Sequence, residues 1–512
     1  MKIKNWLSHL ETSIPEEAKG YTVSMYSIAL EGWRRGLTLK FINENRRKSE
    51  LRYSLASQER EHRFVVSRGD FTSLSTLKIC RDKHTTKEYL LKAGVPTPEG
   101  RVFKKEVPDE EILSYARSLD FPLVIKPSDG TGGAGVIANI KNETEFKNAL
   151  SYVKYDLGFS EVIVEKFFKG IDHRVYVVGD KVMGAIIRIP ANVVGDGKST
   201  IQQLIKINNS ERDKNPALFR RLIKIDKELL DMLAEKDYKL DSIPKEGERV
   251  FLKSKANISS GGDSVDVTDE LTDEIKNITI QAVAAIPGLK HSGVDIIVDK
   301  ENNTATIIEI NTQASINSHL FPMEGVSRDI PKEIIDLYFP ETKANYNKDG
   351  QLYYFDFQHM FEAFQNGYAE EYTIPPMPTG NITTTRFIVE GKIQNVAYEV
   401  WVRNQAKKLK LHGYVKNLLN GTTSIVVSGN TENIDEFRKK INSAASKRAV
   451  VSNVKELSRT SPVKIGFEIL AQGTKNNEKS SKTSLQTGQT LQEGYFPVKI
   501  DDVRIRRKRV SK

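Results

Sequence analysis

The clearest hydrophobic pattern lies in the segment IIEINTQ, residues 307–313, where apolar and β-branched residues run into two polar ones. On a strand, residues two apart leave the same face, so Glu309 and Asn311 are predicted to point together. Upstream, GVDIIVD predicts a second strand that carries Asp295, and the turn-forming residues 299–303 predict a hairpin that places Asp295 beside Glu309. Three oxygen-bearing side chains in this arrangement suit a magnesium ion, although polar residues that merely face solvent would produce the same pattern.

The first 80 residues predict a small α/β unit. The segment YTVSMYSIALEGWRRGL has the spacing of an amphipathic helix, while LRYSLAS and HRFVVS alternate as strands do. This unit, residues 1–80, contains no chemical motif, so we expect it to serve packing. Another helix is predicted to begin after Asp82 and to end at Gly94, ahead of Pro96.

A glycine-rich loop follows the apolar strand in FPLVIKPSDGTGGAGV. The strand carries Lys126, and the loop includes Gly132 and Gly133, whose missing side chains would let backbone N–H groups approach phosphate oxygens. Lys126 and Lys83, at the start of the preceding helix, could balance the charge of a triphosphate. Flexible hairpins and ordinary surface lysines would look the same.

Two carboxylates flank an apolar connector in SEVIVEKFFKGIDHRVYVV. Glu165 ends one predicted strand and Asp172 begins the next. An adenine ring could lie between them against Phe167 or Phe168, because purine sites combine apolar walls with a few polar groups.

The chain changes character after Pro340. Residues 341–380 are aromatic and then proline-rich, which predicts a packed connector. Residues 381–471 predict a ferredoxin-like βαββαβ domain, with an Asn-Gly hairpin turn at Asn420. Residues 472–512 are polar and then basic, which predicts a disordered tail.

Composition narrows the class of protein. The 512 residues are 38% hydrophobic and 28% charged with a mean hydropathy of −0.44, which is typical of a globular protein, and no apolar run is long enough for a membrane span. The single cysteine, Cys80, excludes an internal disulfide, and with no signal-peptide pattern this favours the cytoplasm. Much of the net charge of +10 lies in the tail, so a nucleic-acid partner is not expected. A homo-oligomer remains possible.

The order of motifs resembles one known family. DKHTTK, VIKP with its glycine loop, VEKFFKGID, RIPANVVGDGKSTI, KANISSGGDS, GVDIIV and IIEIN follow one another as in the ATP-grasp domain of cyanophycin synthetases and of the fused bifunctional glutathione synthetases. The resemblance covers about residues 82–340, and we place the domain at residues 81–340. It implies an α+β fold in which two α+β subdomains clasp ATP after a small N-terminal unit.

The resemblance also implies roles for individual residues. It implies that ATP is bound by Lys83, Lys126, Gly132, Gly133, Glu165, Lys166, Phe168 and Asp172. It implies that Mg²⁺, with Mn²⁺ as the alternative, is held by Asp295, Glu309 and Asn311, and that Arg188, Lys126 and Asn257 are catalytic. Arg188 would stabilise the transferred phosphoryl group, and the loop that begins at Asn257 would close on the acyl intermediate through backbone donors.

The implied reaction is an ATP-dependent ligation. An amino acid or peptide carboxylate would attack the γ-phosphorus of ATP, and an amine would then attack the acyl phosphate to form an amide, with ADP and phosphate released. The chain departs from the family pattern after Asn311, where Ala314 and Ser315 replace a Pro-Gly pair, so the substrate differs or stays open. The alternatives are a glutathione-synthetase-type ligase and a nucleotide-binding scaffold without turnover.

The C-terminal domain resembles acylphosphatase over about residues 382–470. That family binds phosphate in a G-x-V-Q-G-V-x-F-R loop, with a distant asparagine that positions water. Here the asparagine position is Asn417, but the loop ends in Glu399 instead of arginine, and Asn395 replaces its second glycine. A carboxylate repels phosphate, so we predict a domain that keeps the fold and has lost hydrolysis.

Overall fold

The computed structural model describes residues 4–43, 51–128, 135–346, 353–443 and 449–472. Two predicted features therefore fall outside the described residues: the glycine loop with Gly132 and Gly133, and nearly all of the basic tail. The chain forms two compact units. The first unit contains Met1–Arg35 and His62–Lys348, and the second contains Gly36–Glu61 and Asp349–Lys512.

The N-terminal part of the chain is distributed over both units. Its elements are β1 (Lys4–Asn5), α1 (Ser8–Glu11), α2 (Val23–Arg34), β2 (Thr38–Ile42), β3 (Arg52–Ala56), β4 (Glu61–Val65), β5 (Arg68–Gly69) and α3 (Leu74–Arg81). The strands β2 and β3 pair with each other inside the second unit, whereas α1, α2 and α3 belong to the first. The segment that we expected to form one unit, residues 1–80, is thus divided.

The predicted amphipathic helix is α2, and its prediction is wrong in one respect. All twelve residues of α2 are buried, including Glu31 and Arg34. The charges are tolerated because each has a partner: Glu31 accepts from Arg35 at 2.6 Å, and Arg34 donates to the Ser13 hydroxyl at 2.9 Å. An amphipathic helix would leave one face in solvent, whereas α2 is buried on every side.

Two sheets organise the rest of the first unit. Its elements are α4 (Lys83–Lys92), β6 (Gly100–Lys104), α5 (Asp109–Leu119), β7 (Leu123–Pro127), β8 (Ile137–Ile140), α6 (Glu143–Ser151), β9 (Glu161–Lys166), β10 (Ile171–Val178), β11 (Lys181–Ile189), β12 (Asn192–Val194), α7 (Ile201–Lys214), α8 (Lys227–Ala234), β13 (Arg249–Phe251), β14 (Asp263–Asp266), α9 (Asp273–Ala284), β15 (His291–Asp299), β16 (Thr304–Asn311), α10 (Asn317–Leu320), β17 (Gly325–Val326) and α11 (Ile330–Tyr338). The sheets run β6-β9-β7-β8 and β14-β11-β10-β15-β16. Helices α5 and α6 pack on the first sheet and α9 on the second, because each contributes apolar residues to the corresponding core.

The second unit contains the predicted βαββαβ arrangement. Its remaining elements are β18 (Tyr353–Tyr354), α12 (Gln358–Gln365), β19 (Glu371–Thr373), β20 (Ile382–Lys392), α13 (Tyr398–Lys408), β21 (His412–Asn417), β22 (Thr423–Asn430), α14 (Thr431–Asn442), β23 (Val450–Ser458), β24 (Val463–Lys464) and β25 (Phe467–Leu470). The sheet order is β23-β20-β22-β21-β25, and the last strand adds a parallel edge to the predicted four. Strand β19, from the predicted connector, pairs with β2. Across the described residues, no helix is both long and apolar enough to cross a bilayer.

Candidate active site

The predicted hairpin is formed by β15 and β16. Asp295 pairs with Glu309 and Gly293 with Asn311, and a bulge follows at Ile296. The side-chain Nδ2 of Asn311 donates to Asp295 Oδ2 at 3.1 Å. The structure therefore brings the three predicted metal ligands together on two neighbouring strands.

An arginine that the sequence analysis missed binds the centre of this cluster. Arg174 on β10 stands opposite Asp295 on β15, and its Nε and Nη2 donate to the two carboxylate oxygens at 2.5 and 2.8 Å. Burial disfavours the charge of Arg174, but the attraction and hydrogen bonds of Asp295, together with the charges of Glu309 and Asp172, outweigh it, and the pKa of Arg174 is raised. The sequence did contain a signal for Arg174, because it is a charged residue on an otherwise apolar strand, two positions after Asp172. Its partner could not be predicted, because the partner depends on how the strands are aligned.

A second arginine extends the network. Arg188 Nη2 donates to Asp172 Oδ2 at 2.5 Å and lies 3.8 Å from Asp295 Oδ1. Asp172, which the resemblance assigns to ATP binding, is thus paired with the predicted phosphoryl-stabilising arginine. Cations and carboxylates alternate here, so each charge is balanced and the side chains are held in place.

A cleft of about 450 Å³ opens beside the metal-ligand cluster. It is lined by Lys83, Pro98, Val124, Lys126, Val136, Ala138, Glu165, Lys166, Phe167, Phe168, Arg174, Ile297, Ile308, Glu309 and Asn311. All the predicted ATP residues in the described part of the chain line this cleft except Asp172. The lining combines aromatic and aliphatic side chains with charged ones, as a nucleotide requires.

Glu165, at the cleft, forms one cluster with two lysines, Lys126 and Lys87. Lys126 Nζ lies 2.5 Å from Glu165 Oε2, and Lys87 Nζ lies 3.8 Å from Glu165 Oε1. Burial lowers the pKa of Lys87, and Lys126 lowers it further against the opposing effect of Glu165. The sequence analysis did not single out Lys87, although it stands one helical turn after Lys83 and shares its face. Gly100 makes room, since a Cβ there would overlap Glu165.

The oxygen atoms of the hairpin fit a hard divalent cation. Among the described residues, no group of three or more His, Cys, Asp or Glu side chains is placed to hold a metal. The predicted set differs from such a group, since it contains two carboxylates and one amide. Carboxylate and amide oxygens suit Mg²⁺ or Mn²⁺ rather than zinc. Arg174 already engages both oxygens of Asp295, so a cation there would share that carboxylate with a guanidinium.

The loop at Asn257 does not line the cleft. The amides of Ser260 and Gly262 donate to the Asn257 carbonyl at 3.2 and 2.9 Å, and the amide of Ser259 donates to the Asn257 side chain at 3.1 Å. These donors are used inside the loop, so the structure does not present them to an intermediate as expected. The loop leads into β14, where Ser264 pairs with Arg188 of β11.

The segment that departs from the family pattern is anchored by the N-terminal part of the first unit. The Ser67 hydroxyl donates to the Ala314 carbonyl at 2.7 Å, and Ser24 on α2 donates to the Asn317 side chain at 2.5 Å and accepts from the Ile316 amide at 3.0 Å. All these contacts are between residues more than 240 positions apart in sequence. The N-terminal residues therefore shape the loop that follows Asn311.

In the second unit, the loop between β20 and α13 occupies the position of the acylphosphatase-like phosphate loop. Asn395 and Ala397 have left-handed φ angles of 60° and 58°, and Gln394 donates to the Leu418 carbonyl at 3.0 Å. Glu399 lies in the first turn of α13, and its Oε2 is buried without a hydrogen-bond partner. No arginine stands at that position to bind an anion.

Comparisons with known proteins agree with both halves of this description. The family profile of the ATP-grasp domain matches residues 80–315, and that of acylphosphatase matches residues 385–469. Cyanophycin synthetase from Crocosphaera subtropica is 33% identical over 289 residues, which is 55% of this chain and 33% of that protein. The glutathione biosynthesis bifunctional protein of Enterococcus faecalis is 30% identical over 328 residues, 60% of this chain and 41% of that protein.

A similarity to one solved structure accompanies these sequence matches. The bifunctional glutathione synthetase from Pasteurella multocida is 26% identical with a TM-score of 0.47, over 57% of this chain and 40% of that chain. The present chain spans about a third of the length of the curated cyanophycin synthetases that it matches. The resemblances stated from the motifs are confirmed, and with them the α+β fold class.

Proposed function

We propose that this chain, which carries an ATP-grasp domain followed by an acylphosphatase-like domain, is an ATP-dependent carboxylate–amine ligase. It joins an amino acid or peptide carboxylate to an amine through an acyl phosphate and releases ADP and phosphate. The observation that carries the proposal is the cleft of about 450 Å³ whose lining brings Lys83, Lys126 and Glu165 together with Glu309 and Asn311.

The charged and apolar residues of the cleft have different roles in binding ATP. Lys83 and Lys126 bind the phosphates of ATP, while Phe168 and the stem of Lys166 supply an apolar wall for the base. Glu165 holds Lys126 in position. Asp295, Glu309 and Asn311 supply oxygen ligands and would hold Mg²⁺. When bound, the cation neutralises phosphate charge.

Two arginines serve the phosphoryl transfer. Arg188 and Arg174 present planar sets of donors to the region beside Asp295, and donors in such a fixed network are already oriented before charge develops. The carboxylate oxygen of the substrate forms a bond to the γ-phosphorus as the bond to ADP breaks. The amine nitrogen then bonds to the acyl carbon, phosphate leaves with the electron pair, and the amine loses a proton to solvent.

The cysteine and two buried histidines of the first unit do not compete with this scheme as nucleophiles. Burial raises the pKa of the Cys80 thiol to about 11, so the thiol stays protonated at neutral pH. His291 and His319 are buried, and burial lowers their pKa values to about 4 and about 3. Direct attack by the substrate carboxylate needs none of these groups.

The proposal is tested with hydroxylamine as the amine. The full chain is incubated with ATP and Mg²⁺ and with a panel of the common amino acids, simple dipeptides and γ-glutamylcysteine, which covers the glutathione-synthetase-type alternative. ADP and acyl hydroxamate are measured together, and a productive carboxylate should give them in equal amounts. Binding of ATP without any carboxylate-dependent ADP release would overturn the ligase and favour the scaffold.

A further inference from the structure

Glu165 has a lysine near each of its two carboxylate oxygens. Lys126, on β7, lies 2.5 Å from Glu165 Oε2. Lys87, on α4, lies 3.8 Å from Oε1 and donates to the Gly100 carbonyl at 3.3 Å. The first contact is a close ion pair, whereas the second is about 1 Å longer than a hydrogen bond between charged groups. Lys126 is therefore the main partner of Glu165 in this arrangement, and Lys87 is a second partner at longer range.

Lys126 has to weaken its contact with Glu165 when it binds a phosphate. In the register of β7 and β9, Glu165 stands opposite Val124, two residues before Lys126. The two charged side chains are therefore diagonal neighbours on one face of the sheet, and both line the cleft of about 450 Å³. A lysine ammonium is a compact charge on a flexible stem, so Lys126 can turn from the carboxylate toward the phosphates of ATP.

Glu165 cannot follow Lys126, because its stem is closely confined. Gly100 of β6 pairs with Glu165 across the sheet, and a Cβ at Gly100 would lie 2.5 Å from Glu165 Cγ and 2.8 Å from its Cα. The side chain of Glu165 is only 11% exposed, so water has little access to the carboxylate. Since a buried carboxylate without a partner is costly, Glu165 needs a second cation at its present position when Lys126 leaves.

Lys87 is placed to be that cation without contacting the nucleotide. It lines a second, smaller cavity of about 30 Å³, which has room for about one or two water molecules. Lys126 and Glu165 line both this cavity and the cleft, whereas Lys87 is not among the described residues that line the cleft. A movement of about 1 Å would bring the Lys87 ammonium within hydrogen-bond distance of the carboxylate.

We propose that Lys87 is a positioning residue that takes over Glu165 when Lys126 leaves that carboxylate for the phosphates of ATP. Lys87 thereby sets the affinity for ATP although it does not touch the nucleotide. This inference rests on the proposed function, because it requires ATP in the cleft. Without Lys87, ATP binding would either leave Glu165 unpaired or leave Lys126 on Glu165 and away from the phosphates.

The test is a double-mutant cycle in the full chain. Lys87→Met and Glu165→Gln are made singly and together, and Kd for a non-hydrolysable ATP analogue with Mg²⁺ is measured by titration calorimetry. Lys87→Met should raise Kd about ten-fold or more, because it removes the replacement partner of a buried carboxylate. In the Glu165→Gln background, the same substitution should change Kd by less than about two-fold, since a neutral amide does not need a cation.

The two backgrounds separate this role from simpler ones. If Lys87 bound phosphate directly or only supported the fold near Gly100, Lys87→Met would weaken binding equally in both backgrounds, and that result would overturn the proposal. An unchanged Kd in the single variant would overturn it as well. Lys92→Met is the matched control, because Lys92 lies on the same helix with its ammonium 5.8 Å from the centre of the Tyr89 ring. This control should bind the analogue like the parent.

Thermal unfolding of each variant shows whether it has folded. If Lys87→Met does not fold, Lys87→Ala is measured in its place and should show the same dependence on Glu165. The ligase proposal is judged separately, by the formation of hydroxamate. A parent chain that binds the analogue and makes no hydroxamate would refute the ligase, while the cycle would still decide the role of Lys87. A parent that does not bind the analogue would overturn both proposals.

Discussion

Replacing Lys126 with methionine tests the phosphate end of the cleft with little damage to the fold. The substitution keeps the apolar stem and removes the ammonium that lies 2.5 Å from Glu165 Oε2. Glu165 still has Lys87, whose Nζ lies 3.8 Å from Oε1. The side chains of Lys126 and Glu165 are 13% and 11% exposed, so the lost pair should lower the free energy of unfolding by only about 1 kcal/mol.

The effect on ATP affinity follows from the charge removed. At about 5 Å from a phosphate and an effective dielectric constant of about 20, an ammonium contributes about 3 kcal/mol. Part of that gain is offset, because Lys126 must weaken its contact with Glu165, which is worth about 1–2 kcal/mol. The net loss in Lys126→Met is then about 1–2 kcal/mol, or about 5–30-fold in Kd.

Titration calorimetry with Mg²⁺ and a non-hydrolysable ATP analogue measures this affinity, at about 0.15 M salt so that distant charges are screened. Lys154→Met is the control: Lys154 Nζ lies 2.6 Å from Asp109 Oδ1, outside the cleft, and its loss removes an equal charge. The control should bind like the parent. An unchanged affinity in Lys126→Met, or the same loss in Lys154→Met, would refute the phosphate role.

Three further outcomes are expected. Glu309→Ala should lower carboxylate-dependent ADP release by about 100-fold or more with an unchanged thermal unfolding profile, and turnover at the parent rate would contradict its placement at the metal. The parent chain should not hydrolyse benzoyl phosphate, whereas Glu399→Arg combined with Asn395→Gly should gain activity, and robust hydrolysis by the parent would show the prediction wrong. Burial lowers the pKa of His291 to about 4 and of His319 to about 3, so below about pH 6.5 the unfolded chain takes up the protons and the free energy of unfolding falls by about 1.4 kcal/mol per pH unit for each histidine. His319→Leu should roughly halve the contribution of these two histidines to that slope in urea unfolding between pH 7 and 5, and a slope equal to that of the parent would count against it.

Several local features could be predicted because their causes lie within a few residues. The hairpin β15–β16 follows from alternation on both sides of a turn, and it brings Asp295 opposite Glu309 as expected. Helix α4 begins where the Asp82 side chain accepts from the amides of His84 and Thr85. The βαββαβ order of the second unit likewise follows from the period of its apolar residues.

The sequence by itself thus determined the fold class, the strands that carry the polar residues and most of the side chains that line the cleft. Only the tertiary structure decided the partners of those side chains. Arg174 meets Asp295 across 121 positions of chain, and α2 is buried on every side although its own pattern predicts a solvent face. Strand β2 pairs with β19 in the second unit, although the two strands are far apart in sequence. Backbone hydrogen bonds and apolar contacts between distant segments depend on register and burial, and these exist only once the strands have become neighbours.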